Sequence, residues 1–307
     1  MLVRSLLLWL LSALVAVSAR RCRPAPAPLE LRVATYNIRF LGRDPTDLER
    51  VARVLAAVDP AVVAIEEVVR DEPVHELAQR LSVSGRAYRA SVAECGGRSG
   101  LRVAFVYDRS RVEWRGVREF AAMDPDGEGA CAEGDRAALA ARFARVGAAP
   151  DEADTTLVAL HLAARAEPER VELRRAQWRR LFAIRARLER EGHTRVLLLG
   201  DANSTGWRDD AHGERSFIEA EAARASMVVT TGALACSEYY RTGERAWDPS
   251  MLDHIVAPPD AVVSGSARVH GYCEELACRA WRGPSPPEEY THASDHCPVS
   301  VALRFDR

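Results

Sequence analysis

The alternation of apolar and polar residues predicts strands interleaved with a few helices. Helical spacing occurs at residues 44–58, 72–81 and 167–190, and residues 209–223 form either a helix or a loop. An acidic, Gly-rich loop is predicted at 123–134. Strand patterns occupy residues 31–38, 61–68, 88–92, 101–107, 112–117, 137–146, 155–162, 196–199, 227–231, 251–256, 261–269 and 299–305. This order predicts an α/β (α+β) fold in which two packed sheets are flanked by helices.

Two of these patterns are especially informative. Residues 196–199 are apolar without alternation, which predicts a strand buried on both faces. Helix 167–190 carries an apolar stripe, and we expect its arginines to face outward; the stripe consists of Val171, Trp178, Leu181, Phe182 and Leu188.

The first residues have the pattern of an export signal. Arg4 supplies a positive charge, residues 6–17 are apolar, and residues 17–19 are small. We therefore predict a signal peptide at 1–19, a Pro-rich linker at 20–28 and one domain at 29–307. A retained membrane anchor is the alternative. The mature protein is expected to be secreted (extracellular or periplasmic), monomeric and without stable membrane association.

The net charge and the cysteine content further restrict the class of protein. Loss of Arg4 changes the formal net charge from −2 to −3, which argues against a protein that coats DNA non-specifically. Seven cysteines remain after cleavage, and export favours disulfides. Because seven is odd, at least one thiol stays free or pairs between chains. Two pairings are expected, Cys95–Cys131 between Gly-rich loops and Cys273–Cys278 within one loop.

Uncommon polar residues stand at several strand ends. They are Asn37, Glu67, His161, Asp201 with Asn203, Asp253, and Asp295 with His296. Each alone is consistent with a turn, a cap or a hydrogen-bonded core residue. Their coincidence in one chain instead indicates a functional site, because the carboxyl ends of core strands are where α/β folds place chemistry.

These residue types favour one kind of chemistry. Carboxylate and amide oxygens suit Mg²⁺, Mn²⁺ or Ca²⁺. The sequence has neither the paired cysteine spacing nor the HExxH of a zinc site, and it has no G-x-S-x-G nucleophile motif. A histidine beside a carboxylate can deprotonate water while a divalent cation neutralises a phosphate oxyanion. The inventory therefore favours metal-assisted phosphodiester hydrolysis.

An ordered set of motifs resembles the endonuclease/exonuclease/phosphatase superfamily, and most closely its deoxyribonuclease I-like branch. The motifs are RVATYNIRFLG (32–42), IEEV (65–68), LHL (160–162), GDAN (200–203), LDHI (252–255) and SDHCPV (294–299). The resemblance implies a four-layer sandwich of two mixed, mainly antiparallel sheets flanked by helices.

The resemblance also implies residue roles. Glu67 would be the direct ligand of Mg²⁺ (or Mn²⁺ or Ca²⁺), and Asn37 would help to hold the metal and would also bind phosphate. Asp295 would support the metal region and His296. His161 and His296 would be the acid/base pair, and Asp253 would fix the tautomer of one of them. Asp201 would orient the nucleophile, and Asn203 would hold the phosphate. Arg136 would either bind phosphate or be a solvated charge.

One departure from the branch concerns His161. Its members place a glutamate near the start of the strand that corresponds to 101–107, where this chain has Leu101 and Arg102. The partner of His161 is therefore unidentified, and Glu94 is a possible substitute. No aromatic-tipped hairpin like that of secreted sphingomyelinases is evident in the sequence.

These observations predict a secreted, divalent-metal-dependent phosphodiesterase, above all a non-specific endonuclease acting on DNA or also RNA. The alternative on the same core is a phospholipid or sugar-phosphate phosphodiesterase or phosphatase, similar to sphingomyelinases. A non-enzymatic binding module is the third hypothesis.

Overall fold

The computed structural model describes residues 31–43, 45–121, 123, 131, 136–149, 152 and 154–305. The predicted signal peptide, the Pro-rich linker, Cys22 and nearly all of the loop at 123–134 lie outside these residues.

The strands and helices follow the predicted order with several differences in length. The helices are α1 (Leu48–Val58), α2 (Glu72–Leu81), α3 (Pro168–Arg190), α4 (Glu214–Arg224), α5 (Tyr272–Glu275) and α6 (Glu288–His292). The first strands are β1 (Leu31–Leu41), β2 (Val62–Val68), β3 (Tyr88–Val92), β4 (Arg102–Asp108), β5 (Val112–Phe120), β6 (Ala138–Arg145), β7 (Thr155–His161) and β8 (Arg195–Asp201). The later strands are β9 (Val228–Val229), β10 (Glu238–Gly243), β11 (Ala246–Ser250), β12 (Asp253–Ala257), β13 (Arg268–Val269), β14 (Trp281–Arg282) and β15 (Val299–Leu303).

Two large sheets form the centre of the fold. One has the strand order β13-β15-β1-β2-β4-β3 and the other β5-β6-β7-β8-β12-β9. Each contains one parallel pair, β1 with β2 and β7 with β8, among antiparallel neighbours. The predicted pair of mixed, mainly antiparallel sheets is thereby confirmed.

The four layers follow from the period-2 geometry of the central strands. In β8, Leu197 and Leu199 pack between the sheets, whereas Val196 and Leu198 pack under α3 and α4. The outer face of the other sheet is covered by α1 and α2. Because both faces of β8 are buried, its apolar run does not alternate, as predicted.

Helix α3 differs from its prediction in one respect. Its buried side chains include Arg174 as well as Trp178 and Leu181, so not every arginine faces outward. The Arg174 guanidinium forms a two-point ion pair with Glu214, at 2.7 Å between Nε and Oε1 and 2.5 Å between Nη2 and Oε2. A buried arginine needs such a partner, because an unpaired buried charge is costly.

Other predicted elements also need correction. The predicted strand at 261–269 is only the short β13 and an isolated bridge between Val262 and Leu303. A three-stranded sheet, β10-β11-β14, was not predicted. Residues 240–243 of β10 are all exposed, and β11 and β14 are short, so these strands gave no sustained apolar alternation to detect.

The disulfides confirm one expected pairing and contradict the other. Cys95 pairs with Cys131, as predicted. Cys273 does not pair with Cys278; instead Cys273 pairs with Cys297, and Cys236 with Cys278. Nearness in sequence was the wrong criterion, because Cys273 and Cys278 lie close together in the chain but bond to two separate segments, one before β10 and one before β15.

Within the described ranges, no helix combines the length and apolar character needed to cross a bilayer.

Candidate active site

Both parallel strand pairs end at one cluster of polar side chains, which we call the cleft. Asn37 lies on β1 opposite Glu66 of β2, and Glu67 follows it. In the other sheet, Asp201 of β8 is directly opposite His161 of β7 on one side and Asp253 of β12 on the other. Strand register therefore places the last three side chains in a row.

Gly200 permits the close approach of β7 and β8 at this row. Its φ is 147°, and a Cβ there would collide with the carbonyl oxygen of Leu160. Because other residues rarely adopt this φ and the colliding atom is backbone, glycine is required immediately before Asp201.

Asp201 is the centre of the site. Its Oδ2 accepts a hydrogen bond from Asn37 Nδ2 at 2.9 Å, across the gap between the sheets. The same oxygen lies 3.4 Å from His161 Nε2 and 3.9 Å from His296 Nε2. Its other oxygen accepts the backbone N–H of Asn203 at 2.9 Å. Burial raises the pKa of Asp201 to about 7, and the charge of Asp253 adds to the effect.

Glu67 and Asn203 both have left-handed backbone conformations, with φ values of 62° and 51°. Such conformations are unfavourable for residues other than glycine and cluster at functional sites. Hydrogen bonds hold both residues in place. Glu67 accepts from Asn37 Nδ2 at 3.3 Å and from the Phe40 N–H at 3.0 Å, and Asn203 Nδ2 donates to the Leu162 carbonyl at 3.2 Å.

His296 has a well-defined carboxylate partner. Its Nδ1 donates to Asp253 Oδ2 at 2.8 Å, and both side chains are buried. Burial by itself lowers the pKa of His296, but the charge and hydrogen bond of Asp253, together with Asp201, raise it well above the usual range. The predicted pairing of Asp253 with a histidine is therefore present in the structure, and that histidine is His296.

His161 has no equivalent partner. Its Nδ1 is buried without a hydrogen-bond partner among the described residues. Burial, followed by the charge of Arg136, lowers the pKa of His161 well below the usual range. Glu94 is exposed and is not among the carboxylates near His161, which are Glu67 and Asp201, so the suggested substitution by Glu94 is wrong.

Arg136 does reach the site. Its Nη1 donates to the Leu162 carbonyl at 2.7 Å, next to His161 in the chain. The same carbonyl accepts from Asn203, so Arg136 and Asn203 meet at one backbone oxygen. This places a positive charge at the end of the cleft where phosphate binding was predicted.

Two further glutamates were missed from the sequence. Glu66 is fully buried, accepts a hydrogen bond from Thr35 Oγ1 at 2.7 Å, and has a pKa raised well above its usual range by burial. Glu238 is half-buried, and burial raises its pKa to about 8. Because Glu238 lies directly opposite His296 in an antiparallel bridge, their side chains share one face. Glu238 does not follow a buried apolar run, so the strand-end criterion that selected the other site residues does not select it.

The side-chain oxygen atoms around the cleft are suitable ligands for a hard divalent cation. Among the described residues, Asn37 Oδ1 and Asp253 Oδ1 are buried without hydrogen-bond partners. Carboxylate and amide oxygens left in this state are suitable cation ligands. One ligand atom each from Asp201, Asp253 and His296 lie within 4.8 Å of one another. Asp295, which was predicted to support the metal region, lies near Arg39, at 3.7 Å between the Asp295 Oδ2 and the Arg39 Nη1.

The sequence profile of the endonuclease/exonuclease/phosphatase family matches residues 34–296. The chain belongs to this family. The match confirms the predicted superfamily, whose members hydrolyse phosphoester bonds, and it contains each residue of the cleft described above.

Solved structures of the family share the fold. The catalytic domain of human Nocturnin, with a bound sulfate anion, is 15% identical, with a TM-score of 0.60 over 90% of this chain and 95% of that one. A family protein from Bacteroides vulgatus is 20% identical (TM-score 0.59, 90% and 99% covered). A mannosyl-6-phosphatase from Bacteroides thetaiotaomicron is 16% identical (TM-score 0.59, 90% and 100% covered). At these identities the likeness establishes the fold. No curated protein has a significantly similar sequence.

Proposed function

We propose that this protein is an exported, divalent-metal-dependent nuclease that hydrolyses phosphodiester bonds of DNA, and also RNA, without sequence preference. The observation that carries the proposal is the His296–Asp253 pair facing Asp201, with Asn37 joining Asp201 to the Glu67 side of the cleft. In this proposal a water activated by His296 forms a bond to phosphorus, the P–O bond to the leaving sugar oxygen breaks, and that oxygen takes a proton from solvent water.

The proton-transfer roles follow from the hydrogen bonds. Asp253 fixes the tautomer of His296 that leaves Nε2 toward Asp201, and the unprotonated form of His296 takes a proton from water through Nε2 while the charge of Asp253 stabilises the imidazolium that forms. Because the same charge raises the pKa of His296, the fraction of this unprotonated form grows as pH rises. Asp201 orients that water. His161, kept neutral by burial and Arg136, hydrogen-bonds to a phosphate oxygen through Nε2.

The phosphate is held at the opposite end of the cleft. Arg136 and the Asn203 amide, which meet at the Leu162 carbonyl, supply donors to its oxygens. Both act by positioning and by electrostatic stabilisation of the charge that develops during hydrolysis.

A divalent cation fits the other side of the site. Glu67 and Asn37 would hold it, since the Asn37 Oδ1 has no hydrogen-bond partner among the described residues and Glu67 is held rigidly beside it. Mg²⁺, Mn²⁺ or Ca²⁺ bound there supplies neutralisation of the phosphate oxyanion. A cation held by Asp201, Asp253 and His296 instead would occupy the Nε2 of His296 that this proposal assigns to proton transfer, because Nδ1 already donates to Asp253 Oδ2.

Export and a monomeric state belong to the same proposal. Three disulfides within the described residues support an oxidising compartment. Mass analysis of the secreted chain would detect cleavage after residue 19, and light scattering would give its oligomeric state.

A nicking assay tests the activity. Purified wild-type protein with Mg²⁺ or Mn²⁺ is expected to convert supercoiled plasmid to relaxed and linear forms, and EDTA is expected to abolish the conversion. His296→Ala should be inactive, and His292→Ala, which changes an exposed histidine, should match wild type. Plasmid left intact by wild type with either metal would contradict the proposal.

The second candidate function is hydrolysis of a sugar phosphate or a phospholipid. The structural likeness to a mannosyl-6-phosphatase favours this candidate. Release of inorganic phosphate from mannose 6-phosphate, or of phosphocholine from sphingomyelin vesicles, would support it. These assays are run beside the nicking assay on the same protein preparation.

A further inference from the structure

The residues after β13 attach to the cleft in an unusual way. The segment 272–278, which we call the stapled segment, contains Tyr272 and two disulfide-bonded cysteines. Cys273 is bonded to Cys297, the residue after His296. Cys278 is bonded to Cys236, two residues before Glu238, which pairs directly with His296. One short segment is thus covalently joined to both strands that meet at His296.

Hydrogen bonds extend this attachment to the catalytic pair. The carbonyl of Asp295 accepts from the Tyr272 hydroxyl at 2.6 Å and from the Tyr239 N–H at 3.0 Å. The Ser237 carbonyl accepts from the Cys297 N–H at 2.7 Å. The Ser237 hydroxyl accepts from the Asp253 N–H at 3.0 Å. Both members of the His296–Asp253 pair therefore depend on one small block of structure.

That block has little apolar support of its own. Its buried cluster is separate from the cores of the sandwich and consists of Cys236, Tyr239, Trp247, Tyr272, Cys273 and Cys297. Small cores bury too little apolar surface to be stable alone and commonly depend on disulfides. The sandwich, in contrast, has large cores between and outside its sheets. Opening of the block is therefore expected to be local.

We infer that the stapled segment is a positioning element for catalysis: its two disulfides hold His296 in place against Asp253, and their loss lowers turnover while the sandwich stays folded. The inference rests on the proposed function. The residues of the stapled segment contact neither substrate nor metal in the proposed mechanism. They act through the backbone of residues 295–297.

A pair of disulfide variants tests the inference. Cys273→Ser/Cys297→Ser opens the disulfide next to His296, and Cys95→Ser/Cys131→Ser opens the third disulfide as the matched control. We expect the first variant to lose about 100-fold in kcat, the typical cost of a 1 Å misplacement, with KM changed less than about twofold. The control variant should keep the wild-type kcat. Circular dichroism should show native sheet content in both.

Tyr272→Phe provides a milder variant that leaves both disulfides intact. It removes the hydrogen bond to the Asp295 carbonyl and should lower kcat by about fivefold, the equivalent of one hydrogen bond. This variant keeps the inference testable if the cysteine variant does not fold.

A measurement independent of activity completes the test. The Nδ1 proton of His296, donated to Asp253, should give a protected imidazole resonance by NMR in wild type and lose it in Cys273→Ser/Cys297→Ser. Retention of both kcat and this resonance in that variant overturns the inference. Absence of activity in wild type overturns the proposed function instead, and the resonance then decides the inference alone.

Discussion

The two histidines of the cleft lie in opposite surroundings. His296 is hydrogen-bonded to Asp253, and the surrounding carboxylates raise the pKa of His296 well above the usual range. His161 is equally buried, but its Nδ1 has no hydrogen-bond partner among the described residues, and its pKa is lowered by burial and Arg136. Two residues of the same type at strand ends therefore differ in proton affinity because of their neighbours.

This difference assigns distinct work to the two walls of the cleft. In the proposed mechanism, His296 would gain and lose a proton during hydrolysis, whereas His161 would stabilise negative charge without changing its protonation state. Pairs of titratable groups whose environments separate their pKa values commonly divide labour in this way. The contrast is open to direct tests.

The largest effect is expected at His296. Replacement by Ala removes the proton acceptor and should lower kcat for plasmid nicking by about 10³-fold, within the range of general base catalysis. Asp253→Asn should come close to this loss, because the tautomer of His296 is no longer fixed. Steady-state kinetics with His292→Ala as the control checks both. A kcat within about tenfold of wild type for His296→Ala would show that another group accepts the proton.

A smaller effect is expected at His161. His161→Gln keeps a hydrogen-bond donor near Asp201 and Glu67, and should lower kcat by about tenfold. Loss equal to that of His296→Ala would mean that His161 also transfers a proton, and the proposed contrast between the walls would be wrong.

The smallest effect concerns stability on the His296 side. The Nε2 of His270 is hydrogen-bonded to the Ser300 Oγ at 2.7 Å, and its Nδ1 lies 4.0 Å from the Glu274 Oε2. Burial, with the charges of Arg32 and Arg268, lowers the pKa of His270 to about 4. Because this pKa lies below that of the unfolded chain, the unfolded state binds more protons between pH 6.5 and 4. Stability should fall as pH falls through this range.

Urea unfolding at pH 7 and pH 4.5 measures the effect. His270→Gln should remove about 2 kcal/mol of the wild-type loss on acidification, and the exposed His292→Gln should leave the loss unchanged. Equal acid sensitivity in His270→Gln and wild type would show that His270 does not titrate in this way.

Most of the sandwich was predictable because its strands are regular. Buried runs such as 196–199 and the polar residues at their ends mark both the core and the cleft from sequence alone. The structure places Asn37, Glu67, His161 and Asp201 together through strand register, which period-2 geometry anticipates. Their catalytic and metal-binding roles remain predictions.

The part that carries His296 was less predictable. Strand β10 is short and mostly polar, so its bridge to His296 had no periodic signal in the sequence. Disulfide partners such as Cys273 and Cys297 depend on three-dimensional contacts that spacing does not encode. The sequence already indicates that the usual glutamate partner of His161 is replaced, but the lowered pKa of His161 follows from its burial and from the charge of Arg136, which only the fold brings near.

The left-handed backbone at Glu67 and Asn203 has a consequence for how this protein can change over time. Glycine at either position would adopt this backbone conformation without steric cost, but it would also remove the side-chain hydrogen bonds that hold each residue in place. The same substitution would delete a proposed cation ligand or phosphate donor. Selection for turnover is therefore expected to keep a sterically costly residue at both positions, and a lineage released from that selection is free to accept glycine there.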